Sequence, residues 1–190
     1  MESSDAVRRA MDAVSRADFL PPELRGHAHV DHPLPIGLGQ TNSQPTTVAI
    51  MLRLLDVRPG QRILDVGAGS GWTTALLARL AGPQGRVIGV ERHAALIDPA
   101  RAALARHAAG QAEIRPAARG VLGAPQDGPF DRILVSAEAA RLPSALVDQL
   151  GDGGVMVIPV GGVMLRVTRS GHDISVSRHG LFVFVPLIED

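Results

Sequence analysis

The stretch RILDVGAGSGWTTALLARLA, residues 62–81, and the following RVIGVE, residues 86–91, decide the fold. RILDV is short, branched and almost wholly apolar, which suits a strand buried on both faces. GAGSG cannot continue a strand and forces a turn, and TTALLARLA has the length and spacing of a helix. RVIGV repeats the buried-strand pattern. Strand, glycine turn, helix and strand in this order make a parallel βαβ unit.

The turn itself, Asp65-Val-Gly67-Ala-Gly69-Ser-Gly71, carries the chemical signal. Its glycines let the backbone bend tightly and come close to a ligand. Trp72 stands where a dinucleotide loop would place its last glycine, so the pattern disfavours a pyrophosphate. Glu91 ends the next strand, about 20 residues on, where a carboxylate can take the hydroxyls of a ribose. The combination points to S-adenosylmethionine. A tight turn followed by a surface Glu is the plainer alternative.

Outward from this unit the alternation continues. A helix is expected over 4–15, from Ala6, Val7, Ala10, Met11 and Val14. A long Pro- and Gly-rich stretch, residues 18–45, reads as a long loop of the kind that is usually functional or disordered. It ends at a helix start, with Ser43 as N-cap and Pro45 in the first turn. After RVIGV comes a helix containing Pro99, placed either at a kink or just after a late start. AEIRP, FDRILVSA (130–137) and VMVIPV (155–160) read as strands, with a short helix in LPSALVDQL. MLRVTR, DISVSR and LFVFVPL read as a β-rich tail turning at SGHD. The fold class is α/β: a mostly parallel, doubly wound sheet with antiparallel C-terminal strands and an N-terminal helical and loop extension.

Composition removes competing chemistries. The chain has 190 residues, 45% hydrophobic, enough for one domain with a core. It has no Cys, no Lys and no Tyr; every basic residue is Arg, 19 against 19 acidic residues. Cysteine nucleophiles, thiolate zinc sites, Schiff bases, Walker A loops and Tyr/Lys dehydrogenases are thereby excluded. Zero net charge gives no case for nucleic acid. No apolar run is long enough for a membrane span, and no signal peptide is read at the N-terminus, so a cytoplasmic protein is expected. His27, His29 and His32 read as loop and surface histidines, and no metal site is expected.

The run Asp31-His-Pro-Leu-Pro-Ile-Gly-Leu-Gly-Gln-Thr-Asn-Ser-Gln-Pro45 closely resembles the signature loop of protein-L-isoaspartate (D-aspartate) O-methyltransferases. The likeness continues through PGQRILDVGAGSGW, VIGVER, PFDRILVSA, LVDQL, GGVMVIPVGG and FVPL, so it spans nearly the whole chain in order. It implies a Rossmann-like methyltransferase that uses S-adenosyl-L-methionine. The implied reaction is methyl esterification of L-isoaspartyl, and possibly D-aspartyl, carboxylates in damaged proteins or peptides. The implied organisation is a single domain, 1–190: helix and substrate loop over 1–44, cofactor core over 45–160, β-rich segment over 161–190.

Residue by residue, the resemblance makes Ser43 the active-site serine. Thr41, Asn42, Ser43, Gly67, Ala68, Gly69, Glu91, Arg92 and Arg119 fall at cofactor positions. Gln40, Thr41, Val183 and Val185 fall at substrate positions, and Asp31 reads as an organiser of the loop. Three residues depart from the family pattern: Arg119 in place of an Asp near the adenine, Asn42 in place of an apolar residue, and Leu38 in place of a polar one. Arg119 cannot accept from an adenine amino group but can stack on the ring. Asn42 and Leu38 motivate a different acceptor, an aspartate of a dedicated peptide or a small acid. Arg119 motivates a module that keeps the fold without the cofactor. Asn42 is the only Asn of the chain, and Asn42-Ser43 is a deamidation-prone type of pair.

Overall fold

A computed structural model describes residues 2–108 and 110–188. The elements follow the expected alternation. Helix α1 (Glu2–Ala13) leads through short 3-10 turns at Arg16–Phe19 and Pro22–His27 into strands β1 (Leu34–Gly37) and β2 (Gln40–Asn42). Helix α2 (Pro45–Leu55) follows, then β3 (Arg62–Val66), α3 (Trp72–Ala81), β4 (Arg86–Glu91), α4 (Ala94–Leu104) and β5 (Ala112–Pro116). A 3-10 turn at Pro125–Asp127 precedes β6 (Phe130–Val135), α5 (Ser144–Val147), β7 (Leu150–Val160), β8 (Val163–Ser170) and β9 (Asp173–Leu181).

Strands β3 to β9 form one seven-stranded sheet in the order β5-β4-β3-β6-β7-β8-β9. The pairs from β5 through β7 are parallel, and β7-β8 and β8-β9 are antiparallel. Alternate strand residues feed two cores. Ile63, Val87, Ile114 and Leu134 join the apolar faces of α1 to α4, whereas Leu64, Val66, Ile88 and Val135 pack with Leu146 of α5 and with Ala124. This two-sided burial is why β3, β4 and β6 read as continuous apolar runs. Among the described residues, no helix is long and apolar enough to cross a membrane.

Four local expectations are corrected. The stretch 18–45 is not a plain loop: it holds the β1-β2 hairpin and two 3-10 turns. Ser43 is not the N-cap of α2. That position is Gln44, without a side-chain cap bond. The carboxylate of Asp31 does the capping from across the loop, accepting from the Thr46 N–H at 2.9 Å, the Thr46 hydroxyl at 2.8 Å and the Gln44 amide at 2.9 Å. These donors, Gln44 first, hold the Asp31 carboxyl below its usual range. Pro99 lies inside α4, so the helix does not start late. LFVFVPL is not a strand: β9 ends at Leu181, and among the described residues beyond it the β-type pairing is a bridge at Pro186 to Glu138.

Gly89, at the centre of β4, fits the cofactor side of the sheet to α3. A Cβ there would stand 2.9 Å from Thr74 Oγ1 and 3.1 Å from Ala68 Cβ. Gly89→Ala is therefore expected to lower the unfolding free energy by about 1–3 kcal/mol through overpacking. Urea denaturation checks it, and an unchanged midpoint would show that the Thr74 side yields freely.

Candidate active site

The helix after β3 leads to β4 on one side, and the connection after β6 leads to β7 on the other. In an open parallel sheet this reversal leaves a crevice at the carboxyl ends of the strands. A cavity of about 690 Å³ lies there, within the range of about 300–1,000 Å³ usual for small-ligand sites.

One wall is the glycine loop. Gly67 and Gly69 have φ of +80° and +53°, which side chains rarely adopt. A Cβ on Gly67 would point at Ser136 at the end of β6, 3.8 Å away, and one on Gly69 would press on Ile36 of the hairpin at 3.3 Å. Glu91, 5% exposed, closes the loop: its Oε2 accepts from Gly69 N–H and its Oε1 from His93 N–H, both at 2.8 Å. Each oxygen keeps a further lone pair for a hydroxyl donor.

Asp65 sits beneath this loop, fully buried. Its Oδ2 accepts from the Thr73 and Thr74 hydroxyls, both at 2.7 Å, which ties the start of α3 to the end of β3. Its Oδ1 has no protein partner. Burial pushes the carboxyl up to about 6, only partly offset by the Thr74 and Thr73 donors, and the Glu91 charge adds to the rise.

A second wall is β2 and the residue after it. Gln40, Thr41, Asn42 and Ser43 all line the cavity, as do Gly67, Ala68, Gly69, Glu91, Arg92, Arg119 and Val185. Val183 does not: it is 96% exposed and outside the cavity. Its neighbours fold inward because the tail is pinned by Glu138, whose N–H donates to Val185 O at 2.8 Å and whose carbonyl accepts from Leu187 N–H at 2.7 Å. Asn42 lines the cavity but is 4% exposed, and both ends of its amide are committed to Arg16 and Ser70.

Sequence reasoning missed Ser136, Ala137, Pro186 and Leu187 in the lining. Ser136 and Ala137 follow β6 where the sheet reverses, so their position was readable from strand order. The tail residues were not, because long-range contacts such as the Glu138 bridge bring them across. Among the described residues, no group of three or more His, Cys, Asp or Glu side chains could hold a metal ion.

A glycine cradle, a carboxylate with unspent acceptor capacity and an apolar wall of Ala117, Val121 and Leu122 fit an adenosyl group. Known proteins agree. Residues 1–190 match the family described as protein-L-isoaspartate(D-aspartate) O-methyltransferase. A protein-L-isoaspartate O-methyltransferase of Methanopyrus kandleri is 47% identical over 97% of this chain and 84% of its own. One of Methylorubrum extorquens is 50% identical over 96% and 80%. A Plasmodium falciparum protein described as a protein-L-isoaspartate O-methyltransferase, solved with S-adenosyl-L-homocysteine, superposes with a TM-score of 0.85. It is 28% identical, over 98% of this chain and 91% of its own.

The raised Asp65 pKa carries a pH dependence. Below the ordinary value of 3.8 the carboxyl is neutral folded and unfolded; above about 6 the folded chain must hold it ionised. Stability from this group is therefore full at low pH and lost as pH rises from about 4 through about 6, a change on the order of 2–3 kcal/mol. Asp65→Asn keeps an oxygen for Thr73 and Thr74 and removes the titration. Its stability relative to the native chain should rise across that interval in urea denaturation. Parallel pH profiles would count against the assignment.

Proposed function

The chain belongs to the protein-L-isoaspartate(D-aspartate) O-methyltransferase family, and we propose that it esterifies the carboxylate of L-isoaspartyl residues in peptides and proteins with a methyl group from S-adenosyl-L-methionine. One observation carries the reading: Ser43 and the Gln40–Asn42 strand line the same cavity as Gly67, Gly69 and Glu91. Acceptor-type and cofactor-type elements thus face one space.

Glu91 would hold the ribose hydroxyls, the backbone of Gly67 to Gly69 would pack against the ligand, and Arg119 would stack at the adenine end. When bound, S-adenosyl-L-methionine supplies an electrophilic methyl group on a sulfonium. The acceptor carboxylate, with an ordinary pKa of about 4, reaches the site already ionised. No general base is needed. The chain's work is to exclude water and hold the acceptor in attack geometry. The Ser43 hydroxyl can donate to one carboxylate oxygen, and N–H groups of the Gln40–Ser43 segment can orient the other. Val185 and its neighbours in the tail would form the far wall for the peptide.

The departures do not redirect this reading. Asn42 is spent on Arg16 and Ser70, so it does not present a new group to an acceptor. Arg119 is exposed at a wall and leaves the cavity open.

The test uses labelled S-adenosyl-L-methionine with matched isoaspartyl and aspartyl peptides. Base-labile label on the isoaspartyl peptide is expected, and none on either peptide would overturn the proposal. Ser43→Ala should lower turnover roughly 10- to 100-fold through lost orientation, with S-adenosyl-L-homocysteine affinity held within about twofold. Matching losses of both would assign Ser43 a structural role instead.

A further inference from the structure

Arg16 is 5% exposed, and its guanidinium is surrounded by neutral oxygens. Its Nε donates to Asn42 Oδ1 at 2.8 Å. Its terminal nitrogens donate to the carbonyls of His32 at 2.7 Å, Val30 at 2.9 Å, Asn42 and Ser43 at 3.0 Å, and Ala28 at 3.4 Å. One side chain therefore gathers both ends of the acceptor loop, residues 28–43, and grips the carbonyl of Ser43 itself.

The same cluster reaches the cofactor loop by three contacts. Asn42 Nδ2 donates to Ser70 Oγ at 3.0 Å. The Arg16 guanidinium lies over the Trp72 ring, 5.6 Å from its centroid, and Trp72 opens α3 directly after the glycines. Ile36 of the hairpin abuts the position of Gly69. Ser70 and Trp72 line the cavity, as do Asn42 and Ser43.

We propose that Arg16 and Asn42 are positioning residues that hold Ser43 and, through Ser70, couple the order of the acceptor loop to occupation of the cofactor loop. A ligand seated on Gly69 and Ser70 fixes the partner of the Asn42 amide. That amide is fixed to Arg16, and Arg16 fixes the carbonyls of the acceptor loop. Linkage makes the effect reciprocal: an acceptor that orders residues 40–43 raises affinity for the cofactor. The coupling assumes the function proposed above, but the contacts that transmit it do not.

The experiment compares the native chain with Ser70→Ala, Asn42→Leu and Arg16→Lys. Ser70→Ala is the anchor because it removes one hydroxyl from a half-buried loop residue and leaves the core intact. Arg16→Lys keeps the charge but loses the planar fork, so it separates charge from geometry.

The first readout is amide hydrogen exchange over residues 28–43 with and without S-adenosyl-L-homocysteine. The ligand is expected to slow exchange in the native chain and to lose most of that effect in Ser70→Ala and Asn42→Leu. The second is S-adenosyl-L-homocysteine affinity with and without isoaspartyl peptide, where coupling of about 5- to 150-fold is typical. The factor should fall toward one in Ser70→Ala, in Asn42→Leu and, through loss of the planar fork, in Arg16→Lys; kcat should drop more than the peptide KM rises, and the Ser70→Ala/Asn42→Leu double variant should lose no more than either single one. Equal exchange protection and an equal coupling factor in native and Ser70→Ala chains would overturn the proposal. A native chain that binds the ligand, shows the exchange effect and does not methylate the peptide would instead overturn the functional reading alone.

Discussion

The site depends on where the sheet reverses direction. The chain leaves β3 toward β4 and β6 toward β7, so no crossover runs over the adjacent carboxyl ends of β3 and β6. Backbone groups there would stand open to solvent unless a ligand or another segment met them. The glycine loop, Glu91 and Ser136 all border this gap, and residues of the acceptor hairpin and of the C-terminal tail line it too. Neither covering segment belongs to the βαβ pattern. Each is held by side-chain or bridge contacts of its own, Arg16 and Asp31 for the first and Glu138 for the second.

The parts legible in the sequence are those whose physics is local. RILDV, RVIGV and FDRILV announce themselves because strands buried on both faces must be apolar throughout. The glycine loop is legible because its conformations suit glycine, and Glu91 because strand length fixes its distance from that loop. The capping of α2 was misread because Ser43 has the right chemistry next to Pro45, whereas the effective carboxylate, Asp31, comes from far earlier in the chain. The hairpin was obscured by the prolines and glycines around it and by Leu38, which sits at its tip with φ of +54°, a conformation that leucine seldom takes. Val183 was assigned by likeness of position; the tail places Val185 in the cavity and turns Val183 outward.

Two buried acids flank the cofactor loop for different reasons. Asp65 is tethered to Thr73 and Thr74 and sets the start of α3, at the expense of a carboxyl that resists ionisation. Glu91 faces the cavity and is oriented by two backbone N–H groups. One acid therefore shapes the loop while the other is available to a ligand. They sit close enough for the Glu91 charge to raise Asp65 further.

Arg16 shows why a chain without lysine is not handicapped here. An irregular segment such as residues 28–33 offers carbonyls with no ladder to satisfy them, and buried carbonyls must find donors. A lysine ammonium is a compact point charge that would crowd so many acceptors together. A guanidinium spreads its donors in a plane and is more weakly hydrated, so it loses less on burial. Burial does lower the pKa of Arg16, with the nearby Asp31 charge opposing. A well-packed apolar residue could be as stable at such a position, but it could not bring His32, Asn42 and Ser43 to one point. The buried cation is thus better explained by the shape it imposes on the acceptor loop than by any stability it adds. That shape is what a reaction needs when the cofactor supplies the electrophile and the substrate brings its own anion.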